Sequence, residues 1–242
     1  MSLSLDHAII AVTDLDTAIR DYRGLGFTVT PGGTHANRAT HNALITFANG
    51  TYLELLAATG DAPVPGVIDF SVLLQPGDGL VGFALRADDL ATEAARLRAA
   101  GFAVGEIIPG ERRRQDGTLV QWKLALIEGG FAPFLIQDMT PQDRRIPTDP
   151  AVTPHANGAT GLIRVEIAVR DLLQAQMRYA RLFGVSAQKE TTEHPLIGDV
   201  MLHPDEADGL IALHLTFDSA ERQDFPLDRT HQVRLLRASA NR

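Results

Sequence analysis

Three stretches of the chain share one pattern, and that repeat limits what the chain can fold into. Leu5-Asp6-His7-Ala8-Ile9-Ile10-Ala11-Val12 runs into Asp14-Leu15, Gly82-Phe83-Ala84-Leu85-Arg86-Ala87 runs into Asp88-Asp89-Leu90, and Arg164-Val165-Glu166-Ile167-Ala168-Val169 runs into Arg170-Asp171-Leu172. A glycine with an apolar follower closes each copy. Gly26-Phe27 stands 12 residues after Asp14, Gly101-Phe102 stands 12 after Asp89, and Gly184-Val185 stands 13 after Asp171. The three aspartates are 75 and 82 residues apart. Short solenoid repeats are much tighter, so each copy opens a small module of several elements.

Each module begins with a short apolar strand. The aspartate after it suits a helix N-cap, because its carboxylate accepts the free N–H groups of the first turn. Leu15, Ala18, Ile19 and Tyr22 then fall on one helical face, and Leu90, Ala94 and Leu97 do the same. Glycine ends the helix, since it tolerates the left-handed conformation there. Second strands are predicted over 27–30 and 102–104. A hairpin follows, with Asn42–Phe47, the turn Asn49-Gly50, and Thr51–Leu56. The second module matches it with Thr118–Ile127, the turn Glu128-Gly129-Gly130, and Pro133–Gln137. The unit is therefore β-α-β-β-β. The fold class predicted is α+β, with tandem βαβββ modules that form cupped mixed sheets and carry their helices outside.

Three modules are expected, over 1–60, 79–140 and, less regularly, 159–220. Linkers fill 61–78 and 141–158, and a short helix is predicted over 68–74. In the third module strands are predicted over 162–169, 198–202 and 211–217, with a helix over 172–182 and a polar tail from Asp218.

Composition removes several chemistries. The chain has 242 residues and no cysteine, which excludes disulfides, thiolate metal sites and cysteine nucleophiles. A formal net charge of −8 argues against nucleic-acid binding. No apolar run reaches membrane-spanning length and no leader is visible, so a cytoplasmic protein with no membrane partner is expected. Arg112-Arg113-Arg114 is the one basic cluster and reads as a solvated loop. The serines lack the elbow of a hydrolase, and no glycine-rich phosphate loop follows a strand.

Strand alternation decides which side chains converge. If Ala8, Ile10 and Val12 pack under the helix, His7 faces the concave side. Tyr52, Glu54 and Leu56 share one face of the fourth strand, and a charged Glu54 among leucines is costly to bury unless paired. Asn42 shares its face with Leu44; it serves a pocket or caps a turn. His35 lies in the Gly32-Gly33-Thr34 loop, at a ligand or simply exposed. Arg114 offers a fork for a carboxylate or phosphate, and Trp122 is either a pocket floor or core.

Leu5-Asp6-His7, Thr40–Ile45, Gly50–Leu55 and Gly117–Trp122 in tandem β-α-β-β-β modules resemble the vicinal oxygen chelate superfamily, in its glyoxalase-like branch, over about residues 3–140. In that family the first and fourth strands of a module are neighbours. The resemblance implies that His7 and Glu54 are metal ligands for Zn, Ni, Co, Fe or Mn, with Glu54 also catalytic. It also implies a small-molecule ligand, met by His35, Asn42, Tyr52, Arg114, Trp122 and Gln137. The second module departs from the pattern. Gly82 stands in the place of His7, and Ile136 or Gln137 in the place of Glu54. A metal would then borrow His41 or Gln137. Two functions follow as alternatives. One is a metal-dependent lyase or isomerase acting on a small oxygenated substrate. The other is a metal-free protein that sequesters a small molecule. The odd third module is expected to serve assembly, covering a sheet edge or pairing across a homodimer.

Overall fold

A computed structural model describes residues 3–74, 77–114, 116–129, 131–146, 154–186, 193–218 and 224–238. Gln115, Gly130 and residues 147–153 of the second linker lie outside the described residues.

The first module runs β1 (Ser4–Ala11), α1 (Leu15–Gly24), β2 (Thr30–His35), β3 (Thr40–Thr46) and β4 (Tyr52–Ala58). The second runs β5 (Gly79–Arg86), α2 (Leu90–Ala99), β6 (Ile108–Arg113), β7 (Leu119–Ala125) and β8 (Phe134–Asp138). Their eight strands close into one barrel of order β1-β4-β3-β2-β6-β7-β8-β5. β1 lies parallel to β4 and β5 parallel to β8; every other pair is antiparallel. The two halves therefore repeat one topology, and closure leaves the barrel no open edge.

The local reasons for these elements are visible. Asp14, Asp89 and Asp171 cap their helices, accepting from the backbone N–H of Thr17, Thr92 and Gln174 at 2.6, 3.1 and 2.9 Å. Gly26, Gly101 and Gly184 follow with φ of +84°, +86° and +67°, which an L side chain would resist. The strand pairs 40–46 and 52–58 form the expected hairpin around Asn49-Gly50.

Four expectations change. β2 begins at Thr30 and β6 at Ile108, later than 27 and 102. Phe27 and Phe102 instead join the buried core, Phe27 beside Tyr22, His155 and Phe225 and Phe102 beneath Arg178 and Arg181, and Val104 makes only an isolated bridge to Ile127. The Arg-rich stretch read as a solvated loop is part of β6, and Arg112 is 4% exposed. The short helix of the first linker is a 3-10 turn, Phe70–Leu73, and the tail holds a strand of its own.

The rest of the chain is α3 (Gln142–Arg145), β9 (Ala159–Val169), α4 (Leu172–Phe183), β10 (Leu196–Ile197), β11 (Val200–Pro204), β12 (Gly209–Phe217) and β13 (Arg234–Arg237). The last five strands form a separate sheet, β10-β11-β9-β12-β13. In it β9 is parallel to β11, β12 is parallel to β13, and β9 is antiparallel to β12. That repeats the β4-β1-β5-β8 seam of the barrel. Val165, Ile167, Leu213 and Leu215 of this sheet share one apolar core with Ala8, Ile10, Phe83 and Leu85 on the barrel's outside, together with Leu15, Ala18, Leu90 and Leu97 of the helices. Leu5 N–H donates to Asp199 at 2.8 Å and the Tyr22 hydroxyl to the Thr230 carbonyl at 3.0 Å across this interface. The third unit thus covers an outer face of the barrel rather than a sheet edge.

Candidate functional site

The barrel interior holds the site. Alternation sends Ala8, Ile10, Ala43, Ile45, Leu53 and Leu55 outward to the helix core. Their neighbours His7, Asn42, Tyr52 and Glu54 turn inward onto a chamber of about 30 Å³. The second half closes this chamber with Trp122, Phe134 and Ile136, and Arg112 and Arg145 complete it. A larger cleft of about 410 Å³ lies beside it, and His35, Phe70 and Trp122 line both.

Glu54 is at the centre. Its Oε1 accepts from the Asn42 amide at 2.6 Å. His7 Nε2 stands 3.5 Å from Oε2, and His35 Nε2 stands 3.6 Å from Oε1. Burial pushes the Glu54 carboxyl up, but the facing His35 and His7, the Asn42 amide and Arg112 outweigh it and hold the acid below its ordinary value. Glu54 is therefore ionised at neutral pH.

His7 is fixed from behind. Its Nδ1 meets Asp6 Oδ1 at 2.7 Å, and its ring stacks on Tyr52 at 4.4 Å. A register shift between Leu5 and His7 marks an irregularity of β1 at Asp6, and both Asp6 and His7 are buried. Burial raises the Asp6 carboxyl, yet Arg145 and the His7 hydrogen bond pull it far below the usual range. An ionised Asp6 only accepts, so the Nδ1 proton is His7's, and Nε2 is the ring atom turned to Glu54. Arg145 reaches Asp6 with two bonds of 2.8 and 2.9 Å and also binds Asp138 and the Tyr52 hydroxyl. Arg86 adds a third cationic contact to Asp6 at 2.8 Å.

His35 is buried in the same wall. Its Nδ1 pairs with the Thr40 hydroxyl at 2.8 Å, and its ring leans on Phe70. Burial, with Arg112 and His41 nearby, lowers it to about 4 despite Glu54, so the imidazole is neutral at pH 7.

Arg112 was not legible as a site residue. Its guanidinium donates to the Gly32 and Arg145 carbonyls and, among the described residues, forms no ion pair. Gly32 leaves the room for this, since a Cβ there would fall 1.9 Å from Asn42 Oδ1 and 3.1 Å from Arg112 Nη1. Asn42 Oδ1 is buried without a hydrogen-bond partner.

Of the residues singled out in the sequence, His7, His35, Asn42, Tyr52, Glu54 and Trp122 meet around the chamber. Two do not. Gln137 turns outward to bind Leu90 N–H and the Asp88 carbonyl at the start of α2. Arg114 lies at the barrel rim, 3.5 Å from Asp116, with a bond to the Arg144 carbonyl. His41, the other group a metal was expected to borrow, is also absent from the chamber wall.

The strand register decides what the second half offers a metal. Val12 N–H binds the Leu56 carbonyl as Ala87 N–H binds Ile136, and Ile9 pairs with Glu54 as Ala84 pairs with Phe134. The counterparts of His7 and Glu54 are therefore Gly82 and Phe134, not Ile136 or Gln137. Neither can ligate. Among the described residues no group of three or more His, Asp or Glu side chains is arranged to hold a metal ion. The donors present do not complete the coordination shell the superfamily resemblance implies.

A family model described as "Glyoxalase-like domain" matches residues 5–183. The chain belongs to the glyoxalase-like domain family. Its barrel is that of the vicinal oxygen chelate superfamily. A hypothetical protein from Staphylococcus aureus resembles this glyoxalase-like chain over its whole length, with a TM-score of 0.78 at 18% identity, covering 98% of this chain and 100% of that one. A xylose isomerase-like TIM barrel/4-hydroxyphenylpyruvate dioxygenase fusion protein gives a TM-score of 0.54 at 16% identity, covering 91% of this chain and 37% of that one. Methylmalonyl-CoA epimerase from Mycobacterium tuberculosis gives 0.43 at 25% identity, over 57% of this chain and 89% of that one. No curated protein sequence matches. The first two likenesses speak to fold alone, and any reaction lies in the site. Among the described residues no helix is long and apolar enough to cross a membrane.

Proposed function

We propose that this glyoxalase-like protein is an isomerase or lyase that moves a proton on a small oxygenated substrate, with Glu54 as the base. The observation that carries this reading is a buried, ionised carboxylate between two imidazoles that leave its oxygens 3.5 and 3.6 Å away, too far for hydrogen bonds. A C–H next to a carbonyl group fits that need. Glu54 would take the proton, the C–H electron pair would pass into the carbonyl, and charge would develop on its oxygen. The guanidinium of Arg112 is the buried positive charge without an ion-pair partner that could meet this oxygen. Return of the proton to the same or a neighbouring carbon completes an isomerisation; loss of a β-substituent makes it a lyase.

In the free protein the low proton affinity of Glu54 makes it a weak base. A substrate anion that engages Arg112 would offset one of the charges that hold Glu54 down, the smallest of those named, and its own charge beside the carboxylate would raise the acid further. Asp6 would hold the His7 ring in one orientation throughout, with Nε2 beside Glu54.

The test is proton exchange in D₂O, followed by ¹H NMR, with a panel of small 2-oxo and 2-hydroxy compounds. At least one is expected to lose its C–H signal with the native protein, and Glu54→Gln is expected to slow the exchange by about 100-fold or more. Full exchange in Glu54→Gln would overturn the assignment. A compound that binds tightly but never exchanges would favour sequestration without turnover.

A further inference from the structure

The site is two spaces rather than one, and they differ in chemistry. The inner chamber is polar on the first-module side and is lined by Arg112, which among the described residues has no carboxylate within ion-pair distance and meets Glu54 only through space, and by Asn42, whose Oδ1 is buried without a donor. A buried cation with no carboxylate in contact and a buried acceptor without a donor are both costly unless a ligand satisfies them. The outer cleft is different. Val67, Ile68, Phe70, Ile108, Trp122 and Met139 make much of its wall. His35, Phe70 and Trp122 stand between the two spaces, and Phe70 sits on the short 3-10 turn of the first linker.

We propose that the natural ligand is a two-part anion. Its head is a carboxylate with an oxygen on the adjacent carbon, and its tail is an apolar ring or chain lying in the outer cleft. This names the substrate class of the site proposed above and rests on that reading for the site's location. The fork of Arg112 carries five N–H donors, and its bonds to Gly32 and Arg145 leave donors over for two neighbouring ligand oxygens. A hydroxyl or enol on the adjacent carbon supplies the proton that Asn42 Oδ1 lacks. The chamber of about 30 Å³ has room for about two water-sized groups, so it takes the oxygens of the head and little else, whereas the cleft of about 410 Å³ accommodates an aryl group. A head in one space and a tail in the other must pass between His35, Phe70 and Trp122.

Trp122 is the single tryptophan of the chain, so its fluorescence reports on this wall alone. The test is an emission titration of the native protein with 3-phenyllactate, lactate and the methyl ester of 3-phenyllactate. The phenyl compound is expected to bind at least about tenfold more tightly than lactate, because its ring leaves water. The acid is expected to bind at least about tenfold more tightly than its ester. Arg112→Met should erase the preference for acid over ester and keep the preference for phenyl, Arg112→Lys should keep part of both, and Val67→Asp should erase the preference for phenyl alone. Equal binding of acid and ester, or of phenyllactate and lactate, by the native protein would overturn the proposal without any variant. Repeating the titration with Glu54→Gln separates it from the proton-transfer reading. Retained binding there, with no exchange catalysed by the native protein, would leave the two-part site standing and the base reading lost. Exchange confined to uncharged compounds without a tail would do the reverse.

Discussion

His35 ties the chamber's chemistry to stability. It is buried, and burial first, with Arg112 and His41, lowers its pKa to about 4 from the ordinary 6.5. Between those values the unfolded chain binds a proton that the folded chain refuses, so stability rises with pH across the window and falls as pH drops through it. From pH 7 to pH 5 the loss is expected to be about 2 kcal/mol. Urea denaturation at both pH values checks this, and His35→Gln should show a smaller pH dependence; an unchanged slope in that variant would contradict the burial argument. At this scale the sequence was readable only where alternation applies. His7, Asn42, Tyr52 and Glu54 follow the period-two rule on regular strands. Asp6 escapes it because β1 is irregular there. Arg145 stands 139 residues from Asp6 in sequence, and no local pattern announces such a pair. Gln137 and Arg114 show the converse error, since residue type suggested a ligand contact that a helix cap and a rim ion pair already use.

Element by element, the helices and the hairpins were legible and the second strand of each half was not. Asp caps, terminal glycines and Asn49-Gly50 are local devices with local causes. β6 was hidden because three arginines in a row read as a solvated loop, whereas barrel closure against β2 makes the stretch through Arg113 a strand. Gly110 within it has a specific task. It pairs with Trp122, and a Cβ at Gly110 would fall 2.3 Å from the indole nitrogen. Trp122 is packed with Val120, Leu124 and Ile136 and has little room to yield. Gly110→Ala is therefore expected to push the indole into the chamber and cost about 1–3 kcal/mol. Emission should shift, phenyllactate binding should fall, and the far-ultraviolet circular dichroism should stay native. An unchanged emission maximum would mean that the close approach is not needed.

The whole molecule is a symmetric barrel put to asymmetric use. Both halves share topology, caps and hairpins, but only the first places an imidazole and a carboxylate at matching positions on β1 and β4. The second half answers with Gly82 and Phe134 and contributes a wall, Trp122 and the charge of Arg112. The five-stranded sheet of the third unit copies the barrel's central seam and packs on the barrel's outer face in the same core. That role was not readable from the repeat, because a module's sequence does not say which surface it will cover. This asymmetry leaves the site one-sided, and in the reaction we propose Arg112, not a divalent ion, meets the substrate oxygen. Elemental analysis of protein purified without chelator tests it most directly, with the native chain measured beside the His7→Ala, Glu54→Ala double variant. Far less than one divalent ion per chain is expected in both; near-stoichiometric metal in the native protein that disappears from the double variant would contradict the metal-free reading.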